Sequence, residues 1–249
     1  MLRVVALLIV LAVSQAPAAP ARQPAWTGEN LRHFPKDIPR EQLIQRMREF
    51  SFALGVRCQY CHAGGDGVSF DGVVFASDEK MAKVKARAML RMVDQVNTSL
   101  LPAIPSRAEP GVAVACITCH RGLPVPKTLQ TTLLEIVTRD GAPAAVAKYR
   151  QLRRDEALTG RYDFGEWEIN ELARRLREAG NLEAAIAILE MNGEFYPRST
   201  AIDLEIAEMH LARGEGEKAL ARYWSVLVKA PDNVRARQRI AEIEKAVKK

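Results

Sequence analysis

All four cysteines of the 249-residue chain fall in two copies of one pattern, Cys58-Gln59-Tyr60-Cys61-His62 and Cys116-Ile117-Thr118-Cys119-His120. Cys-x-x-Cys-His is the attachment pattern of a c-type haem. Two thiols at this spacing add to the two vinyl groups of one porphyrin, and the histidine that follows reaches under the ring to ligate its iron. His62 and His120 are the expected proximal ligands, and two covalently bound haem c groups are the expected cofactors. Other uses of the cysteines fit less well. A Cys₄ zinc site joins pairs spaced about 15–20 residues apart, whereas 54 residues separate these two pairs. A thioredoxin-like dithiol asks for a βαβ setting that the sequence lacks, and either alternative leaves both histidines without a role.

A haem with a proximal histidine is closed by methionine or a second histidine, or left open. The remaining histidines, His33 and His210, read as ordinary polar residues, with His210 at a helix-surface position. The methionines are better placed. Leu43, Met47, Phe50 and Leu54 recur at helical spacing ahead of the first motif. The run from Met47 to Leu54 rises about 10 Å at 1.5 Å per residue, which is the width of the ring. Ahead of the second motif, Met89, Val93, Val96 and Leu100 cluster within about 40° on a helical wheel, with Met92 at the shoulder and Met81 at the edge. Spacing alone leaves Met47 open between ligand and core residue, and leaves Met89 and Met92 both open, because a methionine in an apolar stripe is commonly filler.

The elements that must position these residues are helical. Pro35-Lys36-Asp37-Ile38-Pro39 reads as the start of the first helix and Gly55 as its stop. Ser77 and Asp78 are candidate caps for the second helix, which Pro102 ends. Between them lie the glycine-rich loop 63–67 and a short hairpin candidate around SFDGVVFASDE. Residues 22–127 hold few large apolar side chains, so the porphyrins are expected to form much of this unit's core and to supply folding energy, as bound metals do in small domains.

At the N-terminus, Arg3, an apolar run from Val4 to Val13 and two Ala-x-Ala sites ending at Ala18 and Ala21 follow the order of a secretory signal peptide, assigned to residues 1–21. The run is too short for a span of about 20 residues, so a periplasmic location is expected, with membrane association through an uncleaved anchor as the alternative. No cysteine stands near the cleavage sites to carry a lipid. Residues 22–127 carry 15 Lys and Arg against 10 Asp and Glu, and residues 128–249 carry 20 of each. The excess lies on the haem half, where four propionates can use it. No basic run is interleaved with aromatics, and no nucleic-acid partner is expected.

Beyond residue 165 a period of 34 appears in Gly180 and Gly214, Ala185 and Ala219, Leu189 and Tyr223, and Pro197 and Pro231, with Ala173, Ala207 and Ala241 in register. This is the tetratricopeptide spacing, in which small residues let paired helices pack closely and proline ends the second helix. Repeats are expected at 166–199 and 200–233 with a capping helix to 249, and residues 128–165 are expected to add one or two connecting helices. The fold class is all-α.

FPKDIPREQLIQRMREFSFALGVRCQYCH, FASDEKMAKVKARAMLRMVDQVN and ACITCHRGLPVP, taken in this order, resemble the cytochrome c subunit of photosynthetic reaction centres over about residues 30–127. In that family a methionine-ligated haem takes its sulfur from the helix ahead of its own motif. The resemblance therefore implies Met47 as distal ligand for the haem on Cys58 and Cys61, and Met89 for the haem on Cys116 and Cys119. It departs from the family in having one pair of motifs rather than two, no N-terminal lipid cysteine, and repeats in place of the second pair. The expected function is single-electron transfer without enzymatic turnover, with a redox partner such as a photosynthetic reaction centre or another membrane electron-transfer complex, and with the repeats as a docking region. A dihaem peroxidase, which needs an open iron, and a periplasmic scaffold with a tethered haem relay are the alternatives.

Overall fold

The computed structural model describes residues 28–106, 108 and 110–247; the expected signal peptide lies outside them. Among the described residues the fold is all-α apart from one two-residue antiparallel ladder. Helix α1 spans Arg40–Leu54 and is followed by a 3₁₀ turn at Cys58–Tyr60. Strands β1 (Ala63–Gly64) and β2 (Val73–Val74) then pair, so the expected hairpin forms between 63–64 and 73–74 rather than within 69–79. Helix α2 spans Met81–Gln95 and runs on through a π turn at Val96–Leu100. A single turn of helix, α3, carries Cys116–His120.

Gly55 ends α1 in the left-handed conformation at φ 65°, where glycine alone is unstrained. It also permits a close approach, since a Cβ there would lie 2.2 Å from the carbonyl oxygen of Gly122. The start of α2 differs from expectation. Neither Ser77 nor Asp78 caps it, and Lys80 holds the cap position without a side-chain bond to the helix N–H groups. Asp78 instead gathers Arg87 (2.8 Å), Lys83 (3.2 Å) and Arg32 (3.5 Å), and Asn30 Nδ2 donates to it at 2.9 Å. Four cationic or polar donors outcompete the helix N–H groups for one carboxylate, and the result ties the N-terminal segment to α2.

From residue 129 the architecture is a row of helical hairpins: α4 (Leu129–Asp140) with α5 (Ala142–Glu156), α6 (Glu166–Glu178) with α7 (Leu182–Phe195), and α8 (Thr200–Ala212) with α9 (Gly216–Lys229). Helix α10 (Val234–Val247) covers α9. Thr128, Asn181 and Ser199 accept the N-terminal N–H bonds of α4, α7 and α8. One continuous core joins Leu129, Tyr149, Ile169, Leu172, Leu189 and Ile206, and a smaller one joins Ala207, Tyr223, Val226 and Ile240.

Positions 34 residues apart do occupy equivalent places, with one change of role. Ala185, Ala219, Ala173 and Ala207 are buried between helices, whereas Gly180 and Gly214 stand in open space at φ 80° and 74°. Those two glycines make the left-handed turn between helices; they do not bring helices together. The register also ends at Ala241, which is exposed on α10, whereas its neighbours Ala236 and Ile240 are the ones buried against α9.

Arg153 stitches the first two hairpins. Its guanidinium lies 4.5–5.9 Å from the ring centres of Phe195, Tyr196, Phe164 and Tyr149 and donates to Tyr149 Oη (2.7 Å) and the Phe164 carbonyl (2.9 Å). Among the described residues no helix is long and apolar enough to cross a membrane.

Candidate haem site

The first motif is one tight turn, because the N–H groups of Cys61 and His62 both donate to the Cys58 carbonyl at 3.1 and 3.0 Å. Two side chains brace it: Gln59 Nε2 donates to Ser69 O at 3.2 Å, and Lys80 Nζ donates to Gln59 O. His62 Nδ1 lies 3.2 Å from the Phe75 carbonyl, with the Phe75 ring packed edge-on 5.1 Å away. A carbonyl only accepts, so Nδ1 carries the proton and the Nε2 lone pair is the one offered to a metal. Burial, aided by the facing charges of Lys83, Arg87 and Lys80, holds the imidazole below its ordinary value and so in the neutral form a metal requires.

The second motif is held by its own clamp. The Asn97 amide pairs with the backbone of Val114 like a strand neighbour, giving to its carbonyl at 2.8 Å and taking from its N–H at 2.7 Å. This joins the end of α2 to the residues just before Cys116. Thr118 Oγ1 accepts from Ala115 N–H at 3.1 Å and closes the start of α3. His120 Nδ1 stands 2.8 Å from the Leu123 carbonyl, again leaving Nε2 as the donor to a metal. Both motif histidines thus share the tautomer that iron ligation needs.

The helices cross over. Helix α1, which carries Met47, packs on α3 of the second motif, where Gly122 N–H donates to Ala53 O at 2.8 Å. His62 of the first motif faces Lys83 and Arg87 of α2, the helix that carries Met89. A porphyrin held between each helix and its own motif would account for this exchange, because the two elements would then meet the neighbouring unit instead of each other. Side-chain exposure agrees. Among the described residues before Leu129, the buried apolar side chains are Leu43, Ala53 and Ala63, and α2 buries none despite its apolar stripe. Phe52 is 77% exposed and Phe70 66%. Such a unit needs a large apolar body to complete its core.

The donor set also fits covalent haem. The four thiols are free of disulfides, and burial pushes those of Cys61 and Cys116 up rather than down, opposite to an activated redox dithiol. Among the described residues no three His, Cys, Asp or Glu side chains converge as a metal cluster, so the two pairs do not form one zinc site. Met47 is half-buried. Met89 and Met92, 40% and 47% exposed, are neighbours three residues apart on the helix surface, and exposure does not separate them.

His33 packs edge-on against Phe34 and lies 3.6 Å from Asp94. His210 is buried, not at the surface, with Nδ1 2.6 Å from Glu215 in the turn after α8. Four supporting residues carry no sequence signature: Lys83 on the Phe75 carbonyl, Asn97 on Val114, Gly122 against α1, and Arg161 beside Gly122. A lysine or asparagine in a helix is too common to stand out, and only the fold brings them to the motifs. A shallow groove lies elsewhere, among α7, α8 and α9, lined by Glu183, Glu190, His210, Arg213, Lys218 and Arg222.

Residues 64–155 match the family described as the photosynthetic reaction centre cytochrome C subunit. The match takes in the second motif, begins just past the first, and runs beyond the expected limit at 127 through α4 and almost all of α5. Cytochrome c-554 of Chloroflexus aurantiacus is 43% identical over 84 residues, 33% of this chain and 18% of that protein. The photosynthetic reaction center cytochrome c subunits of Rubrivivax gelatinosus and Thermochromatium tepidum are 37% and 40% identical over 75 and 70 residues, 30% and 28% of this chain. The aligned part spans less than a fifth of each of these relatives. Over about a third of its length, this chain is related to the photosynthetic reaction centre cytochrome c subunits.

Proposed function

We propose that this chain is an exported electron-transfer cytochrome with two haem c groups, attached through Cys58 and Cys61 and through Cys116 and Cys119. His62 and His120 would hold the irons from one side, Met47 and Met89 from the other. When bound, each haem supplies a one-electron ferric–ferrous couple. The protein's part is to fix ligands, set potentials and exclude water, and no bond in a substrate is made or broken. The observation that carries this reading is the matched pair of motif histidines, each with Nδ1 on a backbone carbonyl and Nε2 left to donate. Kinship with reaction centre cytochrome subunits supports electron transfer as the task and a redox protein as the partner. A reaction centre or another membrane electron-transfer complex would be the partner, met in the periplasm. The tetratricopeptide-like hairpins from residue 166 would dock it, since their groove carries both charge signs without a bound-cofactor motif.

The test is the mass and spectrum of the protein produced with its haem-loading machinery. Two haems per chain and a low-spin ferric spectrum with the sulfur-ligand band are expected. Met47→Ala and Met89→Ala should each abolish that band for one haem and lower its potential. A single haem, or an unchanged band in either variant, overturns the assignment concerned.

A further inference from the structure

We propose that Lys83 acts through the Phe75 carbonyl to raise the reduction potential of the haem on Cys58 and Cys61, making it the place where a single electron settles. The proposal rests on the two-haem reading above and goes beyond it by ranking the two sites.

The Phe75 oxygen serves two donors, His62 Nδ1 at 3.2 Å and Lys83 Nζ at 2.8 Å. A charged donor makes the stronger bond and draws electron density from the oxygen that His62 also uses. The His62 N–H is then held weakly, its ring keeps less anionic character, and it gives less density to iron. A poorer donor favours the ferrous state, so the potential rises; hydrogen bonding to the ligand is one of the levers a protein has on a haem. Lys83 is fixed in this role by the Ser77 carbonyl at 2.8 Å and Asp78 at 3.2 Å, with its side chain only 12% exposed.

The second motif is built the opposite way. His120 Nδ1 has a shorter contact, 2.8 Å, to a Leu123 carbonyl that takes no second donor among the described residues. Its ring is the better electron donor, which favours ferric iron. The surrounding charges act in the same sense. Lys80, Lys83 and Arg87 face His62 against one carboxylate, Asp78. At the second motif the charges are matched instead: Glu49, which faces Cys116, is paired with Arg46 at 3.0 Å, and Arg161 beside Gly122 is paired with Glu156 at 2.5 Å.

Lys83 is a positioning residue, and redox titration of the holoprotein tests it. Lys83→Met should lower the higher of the two potentials, shift the electron distribution between the haems about tenfold, equal to about 59 mV for a one-electron couple, and leave the lower potential in place. Lys83→Arg should restore the wild-type value. Asp78→Asn, which removes the counter-charge, should move the same potential upward. If Lys83→Met loads haem poorly, Lys83→Gln keeps a donor to the Phe75 carbonyl and should shift the potential with the same sign. An unchanged higher potential, an equal shift of both, or a fall in Asp78→Asn as well overturns the proposal. Failure of the ligand reading is seen separately, as an unchanged sulfur-ligand band in Met47→Ala, and leaves the sign test on Lys83 intact.

Discussion

Replacing Gly55 by alanine should damage the haem unit far more than the same replacement at Gly180, although both residues have similar left-handed backbones, φ 65° and 80°. Holding an L-residue there costs about 1–2 kcal/mol, and this is the whole expected effect at Gly180, where a Cβ meets nothing within 4 Å. At Gly55 the added atom falls 2.2 Å from the Gly122 oxygen, well inside contact distance. The obstruction is backbone and cannot swing away, so α1 must separate from the second motif. That separation forfeits the Gly122 N–H to Ala53 O bond, about 1 kcal/mol, together with part of the α1–α3 packing. The sum at Gly55 is about 3 kcal/mol or more, roughly 2 kcal/mol beyond Gly180. Denaturant unfolding of the holoprotein, followed at the haem band and by helical circular dichroism, reads the two sites apart. Gly55→Ala should move the haem transition to lower denaturant and broaden the sulfur-ligand band, while Gly180→Ala should make a small change in the helical transition. Equal destabilisation by the two variants would refute the claim that motif and helix meet at Gly55.

Arg153→Met should lower hairpin stability by about 2–3 kcal/mol through loss of the cation–π contacts and two hydrogen bonds, with haem spectra unchanged; a spectral change would mean that the two parts are more tightly coupled than described. Asn97→Ala removes both bonds to Val114 and should reduce haem attachment at Cys116 and Cys119 selectively, as peptide mass mapping would reveal. The Arg87 hydrogen bond, with Lys83 beside it, holds the Asp78 carboxyl well below the usual carboxylate range. A depressed acid adds stability that is complete above its unfolded value near about pH 4 and is lost as pH falls through the folded value. Acid titration should therefore loosen the segment held by Asn30 and Arg32 only below about pH 4, and Asp78→Asn should remove that dependence in amide exchange of residues 28–34.

Much of this molecule was written locally, and those parts were legible. The motifs name their chemistry because thioether spacing and the following histidine admit few other uses. The end of α1 was visible because a left-handed stop needs glycine, and the hairpins because helix pairs repeat a fixed length. What was not legible depends on competition or on distant meetings. Ser77 and Asp78 have the types of capping residues, but a carboxylate beside Lys83, Arg87 and Arg32 gains more from three cations than from a helix N–H. The 34-residue glycines looked like packing residues because a spacing cannot tell a turn from a contact. His210 looked like a surface residue because Glu215, its partner, belongs to the turn and not to the helical face.

The crossed packing is the deepest of these hidden features, because on the proposed reading it would follow from a body that no residue letter represents. Each motif follows its helix in the chain, Cys58 after α1 and Cys116 after α2 and its π turn, and local reasoning places the two against each other. With a porphyrin between them, as proposed, they would part and each would find the other unit. Helix α1 then braces the second motif at Gly122, while Lys83 of α2 reaches the carbonyl that orients His62. The helix expected to supply one iron's sulfur thereby tunes the other iron's histidine. On the proposed ligation two haems so arranged would not be independent copies, and a change on α2 would act on both: at Met89 through the ligand, at Lys83 through the charge.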